Sequence, residues 1–176
     1  MSGTVLVVID VQNVMFETPG EYPFEGGRVL DTIGSLIASA REAGVPVHYV
    51  QHTTREEGSC CVAGTRNWEI HPSIAPKPGD TVSRKYSYDA FWDTGLEETL
   101  RGLGAERLVF CGLQTDICVD TTVRSALAHG FKSVLVGDAH TTFDTEVLSG
   151  KQIVAHHNMT LGGRFCEVVM SGEFEF

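Results

Sequence analysis

Apolar runs rich in β-branched residues alternate along the chain with segments whose apolar positions recur at helical spacing. Thr4–Ile9 is continuously apolar, the pattern of a central strand covered on both faces. Leu30, Ile33, Leu36, Ile37 and Ala40 then fall on one helical face, and Gly44 is placed to cap that helix before a second strand over residues 45–51. Residues 81–83 predict a short third strand, and Leu96, Leu100 and Leu103 a helix ending at Gly104. A fourth strand is expected over 107–111. A helix over 116–129 should follow, with Val119, Val123, Ala126 and Leu127 facing inward. Residues 131–136 predict a fifth strand. Ser149 and Gln152 form a capping box for a helix to about residue 160, and residues 165–170 close the series. Six strands separated by helices, joined by right-handed crossovers, predict one three-layer α/β/α domain over 1–176 with a mostly parallel sheet. The irregular stretch is 52–80, with Gly58, Gly64, Pro72, Pro76, Pro78 and Gly79; a loop that long in a compact domain is usually functional. The acidic, aromatic tail 172–176 is read either as frayed or as covering a neighbouring subunit.

Composition narrows the function. Asp and Glu number 23 against 13 Lys and Arg, a formal net charge of -10, so the shell repels phosphate backbones and nucleic-acid binding is not expected. No run approaches the roughly 20 apolar residues of a membrane span, and residues 4–9 lack a following cleavage site, so neither a membrane partner nor a secretory leader is expected. The five cysteines form no zinc-knuckle or Cys-x-x-Cys spacing, which predicts a reduced, cytoplasmic protein with free thiols.

Ligands of parallel α/β sheets bind beyond the carboxyl ends of the strands. Those ends carry Asp10 and Gln12, then His52, then Arg84 and Lys85, then the segment from Gly112 to Cys118, then Asp138 and His140. Cys118 lies just inside a predicted helix start, where unpaired amides favour thiolate. Asp10 can carry a proton and Lys85 can stabilise negative charge. The competing reading makes Cys118 a small buried hydrophobe, Asp10 a turn cap and Lys85 a solvated surface residue. Cys111 and Cys166 read as core, and Cys60 and Cys61 in the long loop either line the pocket mouth or have no role, the latter being favoured. No glycine-rich phosphate loop follows the first strand, which argues against a nucleotide site.

Three segments carry a resemblance: Val8-Ile9-Asp10-Val11-Gln12, Arg84-Lys85-Tyr86-Ser87-Tyr88-Asp89-Ala90-Phe91, and Cys111-Gly112-Leu113-Gln114-Thr115-Asp116-Ile117-Cys118-Val119. In this order they resemble the isochorismatase-like cysteine hydrolase superfamily, which includes nicotinamidases and N-carbamoylsarcosine amidases. The resemblance implies a six-stranded sheet in the order 3-2-1-4-5-6 and a catalytic triad of Asp10, Lys85 and Cys118. It also implies a cis peptide between Leu113 and Gln114, and an oxyanion hole from the amides of Gln114 and Cys118. The activity implied is hydrolysis of a C–N amide-type bond in a small-molecule substrate. A same-fold hydrolase of ureido, imide or ester substrates, and a non-catalytic binding or scaffold protein, are the alternatives. A homodimer or homotetramer is the assembly the resemblance implies.

Departures from the family narrow the chemistry. Isochorismatase proper lacks the cysteine, so Cys118 argues against that activity. The Asp-x-His arrangement of metal-binding nicotinamidases is replaced by Gln51-His52-Thr53-Thr54, and His52 with His71 is too small a ligand set for zinc. No metal and no cofactor are therefore expected. Gln12, Phe16, His52, Glu57, Trp68, Tyr86 and Phe91 are the candidate substrate contacts. For His52 a backbone-satisfied loop histidine is an equal alternative, and for Trp68 an anchor of the loop. Glu56 and Glu57 form either a solvated pair or, pointing inward, a bias toward cationic substrates. Asp116 is read as a cap or ion-pair partner of the nucleophile helix.

Overall fold

A computed structural model describes residues 3–56 and 58–176. Six strands, β1 (Thr4–Ile9), β2 (Val47–His52), β3 (Thr81–Lys85), β4 (Arg107–Leu113), β5 (Lys132–Thr141) and β6 (Glu167–Val169), form one sheet in the order β3-β2-β1-β4-β5-β6. All five pairings are parallel. The helices are α1 (Val14–Glu17), α2 (Gly26–Glu42), α3 (Leu96–Gly102), α4 (Asp120–Ala128) and α5 (Gly150–Leu161).

Side chains alternate across the sheet as the strand period requires. Leu6 and Val8 of β1 face a layer with Val29, Ile33, Leu36, Ile37 and Ala40 of α2. Val5, Val7 and Ile9 face the opposite layer, with Leu96 and Leu100 of α3 and Val123 and Ala126 of α4. Helix α2 ends in a Schellman turn: Gly44 N–H donates to Arg41 O at 3.1 Å and Val45 N–H to Ala40 O at 2.8 Å. Gly44 carries the left-handed φ of 68° that this turn needs. The Ser149–Gln152 capping box opens α5.

The strand ends run further than periodicity indicates. β3 extends to Lys85, β4 to Leu113 and β5 to Thr141, because polar residues at the sheet's functional edge break the apolar pattern without breaking the ladder. The helix expected over 116–129 begins as a π turn, Thr115–Val119, and becomes α-helical at Asp120. Leu127, expected to face inward, is 47% exposed on the outer face of α4. The tail packs on its own chain. Phe174 and Phe176 join the α2 layer, and the Arg107 guanidinium lies over the Phe174 ring, 5.5 Å from its centroid. No helix among the described residues is long and apolar enough to cross a membrane.

Candidate active site

Three strand ends deliver one polar cluster. Asp10 follows β1 directly, in a left-handed conformation (φ 49°) fixed by its N–H donating to Val50 O at 2.9 Å. Lys85 is the last residue of β3, and its long side chain reaches inward past His52, its register partner on β2. β4 closes against β1 through Gly112, where a Cβ would lie 2.0 Å from Ile9 O and φ is 125°, so only glycine fits. The next peptide, Leu113–Gln114, is cis. The Gln114 carbonyl then accepts from the amides of Ile117 (3.2 Å) and Val119 (3.0 Å), winding the π turn that carries Cys118.

His140 braces this turn from β5. Asn158 Nδ2 donates to Gly137 O at 2.9 Å, which leaves its Oδ1 to accept from His140 Nε2 at 2.8 Å. His140 Nδ1 then accepts from the Thr115 hydroxyl at 2.8 Å. The ring is buried and its pKa is pushed down to about 4 by that burial, so it stays neutral. Its partner in the fifth-strand reading, Asp138, accepts from Ser171 N–H and Oγ and holds the tail instead. Asp116 neither caps the helix nor pairs with a cation; it accepts from the Thr142 hydroxyl at 2.6 Å.

Asp10 and Lys85 are both wholly buried, and Lys85 Nζ stands 2.7 Å from Asp10 Oδ2. The same ammonium donates to Cys118 Sγ at 3.1 Å and Ser87 O at 3.0 Å, and lies 3.2 Å from His52 Nδ1. Four neighbours thus compete for three N–H protons. The Asp10 contact is an ion pair rather than an aligned hydrogen bond: neither carboxylate oxygen meets an aligned donor among the described residues. Burial works against the Lys85 charge, but Asp10 and Cys118 outweigh it and raise its pKa. Burial and then the Lys85 charge lower the pKa of His52.

The Cys118 thiol is pushed up to about 12, first by burial and then by Asp10, with Lys85 pulling the other way. The helix start favours thiolate, whereas burial and Asp10 act in the opposite direction and favour the thiol. Cys118 is only 7% exposed and Asp10 acts on its sulfur, and both push the thiol up.

A cavity of about 330 Å³ opens over the cluster, within the range of small-molecule sites. Asp10, Cys118, Gln114 and His52 line it. So do Cys60 and Cys61, whose sulfurs lie 3.6 Å apart, the pocket-mouth position that was one of the two readings of this pair. Val14, Met15, Thr18 and Glu21 line it from the segment after β1, and Tyr88, Ile117 and Phe143 complete it. These were missed because loop side chains carry no periodicity that reports their direction. The one signal was position, since all of them follow within about a dozen residues of a strand's carboxyl end.

Five expected substrate contacts do not line the cavity. Gln12 is wholly buried and stitches backbone: its Nε2 donates to His52 O and Trp68 O, and its Oε1 accepts from His52 N–H. Trp68 anchors the loop, with its indole N–H on Thr53 Oγ1 at 2.9 Å and Arg84 over its ring. Phe16 is buried edge-on against His71. Phe91 stacks on His129 and Phe131 in the core. Tyr86 is half exposed under the Arg55 guanidinium. Glu57 lies outside the described residues. No group of three or more His, Cys, Asp or Glu side chains among the described residues could hold a metal ion. His52 faces Lys85, and His71 faces Ser73 and Phe16.

A parallel three-layer sheet with a buried Cys–Lys–Asp cluster at its carboxyl edge defines an isochorismatase-like cysteine hydrolase. Residues 4–167 match the isochorismatase domain model, and the chain belongs to that family. It is 40% identical over 139 residues to a streptothricin hydrolase of Streptomyces noursei, covering 79% of this chain and 50% of that protein. The chain thus spans about half the length of this relative. An isochorismatase family protein of Bacillus subtilis is 34% identical over 157 residues, covering 88% of this chain and 86% of that one. Among solved structures, the N-carbamoylsarcosine amidase of Thermoplasma acidophilum superposes with a TM-score of 0.84 at 26% identity, covering all of both chains.

Proposed function

We propose that this protein hydrolyses a C–N amide-type bond of a small molecule through a thioester acyl-enzyme. Cys118 is the nucleophile, Asp10 the proton carrier and Lys85 the fixed positive charge. The observation that carries this reading is the approach of one buried ammonium to both Asp10 (2.7 Å) and Cys118 (3.1 Å) beneath a cavity of metabolite size.

The steps follow from the resting protonation state. Asp10 takes the proton of the Cys118 thiol as sulfur attacks the carbonyl carbon. The carbonyl oxygen becomes anionic and is received by the amides of Gln114 and Cys118. Asp10 returns its proton to the leaving nitrogen as the C–N bond breaks, leaving the acyl group on sulfur. Asp10 then deprotonates a water that attacks the thioester. When the C–S bond breaks, the thiolate takes that proton back, and the acid product leaves. Lys85 stays protonated throughout. The names of the streptothricin hydrolase and the N-carbamoylsarcosine amidase support hydrolysis of this kind.

The test is a panel of small amides and ureides scored for amine or ammonia release. Cys118→Ala and Cys118→Ser should lose turnover while circular dichroism shows an intact fold. Retained turnover in folded C118A overturns the reading. Turnover should also survive dialysis against a chelator, and a loss that zinc restores would overturn the metal-free chemistry.

A further inference from the structure

The cavity lining is lopsided in charge. Glu21 reaches it from the segment after α1, and no Lys or Arg side chain lines it. The Glu21 carboxylate has no ion pair or hydrogen bond among the described residues. Arg28 pairs with Glu25, Arg66 with Glu17, and Arg55 lies over the Tyr86 ring. The Lys85 charge is matched at once by Asp10 beneath the floor. The other lining groups include the thioether of Met15 and the rings of Tyr88, Phe143 and His52. The Tyr88 and His52 rings are parallel within 2°, with centroids 6.5 Å apart. Aromatic faces attract cations and give an anion nothing in return.

We infer that the substrate is an amide or ureide carrying an ammonium or similar cationic group, which Glu21 receives at the rim while Cys118 attacks the carbonyl. Carboxylate-bearing substrates are disfavoured, because the cavity offers them no cation and the -10 net charge of the chain repels them on approach. The neutral state of His52, held by burial and by Lys85, keeps the wall from offsetting Glu21. This inference rests on Cys118 being the reacting atom.

A capture experiment tests it without turnover. Iodoacetamide, iodoacetate and N-(2-aminoethyl)iodoacetamide are neutral, anionic and cationic versions of one thiol reagent. Their second-order rates at Cys118 are read by mass spectrometry, separately from Cys60 and Cys61, and divided by their rates with N-acetylcysteine amide. Wild type should rank cation over neutral over anion, and Glu21→Gln should lower the cation-to-neutral ratio about fivefold, the scale of an exposed ion pair. Raising the salt concentration should shrink the wild-type preference and leave E21Q nearly flat. Glu17→Gln, whose carboxylate pairs with Arg66 and does not line the cavity, should keep the wild-type ratio. No charge preference in wild type, or an equal preference in folded E21Q, overturns the inference. Either result leaves hydrolysis by Cys118 standing, and retained turnover in C118A would remove that reading without touching the capture data.

Discussion

Asp10→Asn and Lys85→Ala should move the Cys118 thiol in opposite directions. The Asp10 charge holds the proton on sulfur and the Lys85 charge draws it off, so D10N should lower the thiol pKa from about 12 and K85A should raise it further. The Lys85 effect is set by the 3.1 Å Nζ–Sγ distance. At an effective dielectric of about 20, unit charges that close attract by about 5 kcal/mol. Desolvation offsets most of this. If about 1.4 kcal/mol survives, iodoacetamide capture at fixed pH falls about tenfold in K85A. In D10N the same arithmetic raises capture, while turnover falls by a factor of about 100 to 10,000 because the proton carrier is gone. Faster capture with slower turnover in one variant is a signature that misfolding does not produce.

The assay is Cys118-specific alkylation from pH 7 to 10.5 in wild type and both variants, with circular dichroism alongside. Removing one partner of a buried pair costs about 3 to 5 kcal/mol, so the D10N/K85M double variant, which buries no lone charge, is the stability control. Superimposable profiles, or profiles that shift the same way, would refute the coupling of the three groups.

Two further outcomes concern the scaffold. Gly112→Ala places a Cβ 2.0 Å from Ile9 O in a left-handed backbone, so urea denaturation should show a loss of at least about 3 kcal/mol, with turnover lost because the Asp10 strand end is displaced. His48 and His140 are both buried with pKa values depressed to about 4 from 6.5, so the unfolded chain takes up their protons first as pH falls. Their stabilisation is complete above about pH 6.5 and disappears toward pH 4, about 3 kcal/mol per ring, and His140→Gln should remove its share of that slope in urea midpoints.

The cluster was legible because sheet topology converts sequence into position. An acid, a lysine and a cysteine at the ends of β1, β3 and just past β4 must share one edge, whatever the loops do. The walls were not legible because loop packing decides them. Trp68 in the long loop and Phe91 near a strand end look alike in sequence as aromatic candidates for the pocket, yet one pins the loop through Thr53 and the other enters the core beside Phe131. Gln12 shows the same ambiguity from the polar side. Nothing local says whether its amide meets a substrate or, as here, backbone from His52 and Trp68 that needs partners once buried. The opposing influence of burial on Cys118 was not legible for a related reason, since a helix start is visible in sequence and burial depth is not.

In the proposed mechanism the buried cluster also accounts for a nucleophile drawn from a thiol with so high a pKa. At rest the three groups are carboxylate, ammonium and thiol, with no net charge. After Asp10 takes the proton they are carboxylic acid, ammonium and thiolate, again with no net charge. The transfer relocates one negative charge between two neighbours of the same ammonium, 2.7 and 3.1 Å away, so Lys85 compensates either state. Titration by solvent is different. It removes a proton from the cluster altogether and leaves a net negative charge in a site of low polarity, which is what holds the thiol pKa near 12. The value that describes alkaline titration is therefore a poor guide to internal proton transfer. A buried Lys–Asp pair is a weak contributor to stability, and in the proposed mechanism its place follows from what it does for the sulfur between attack and release.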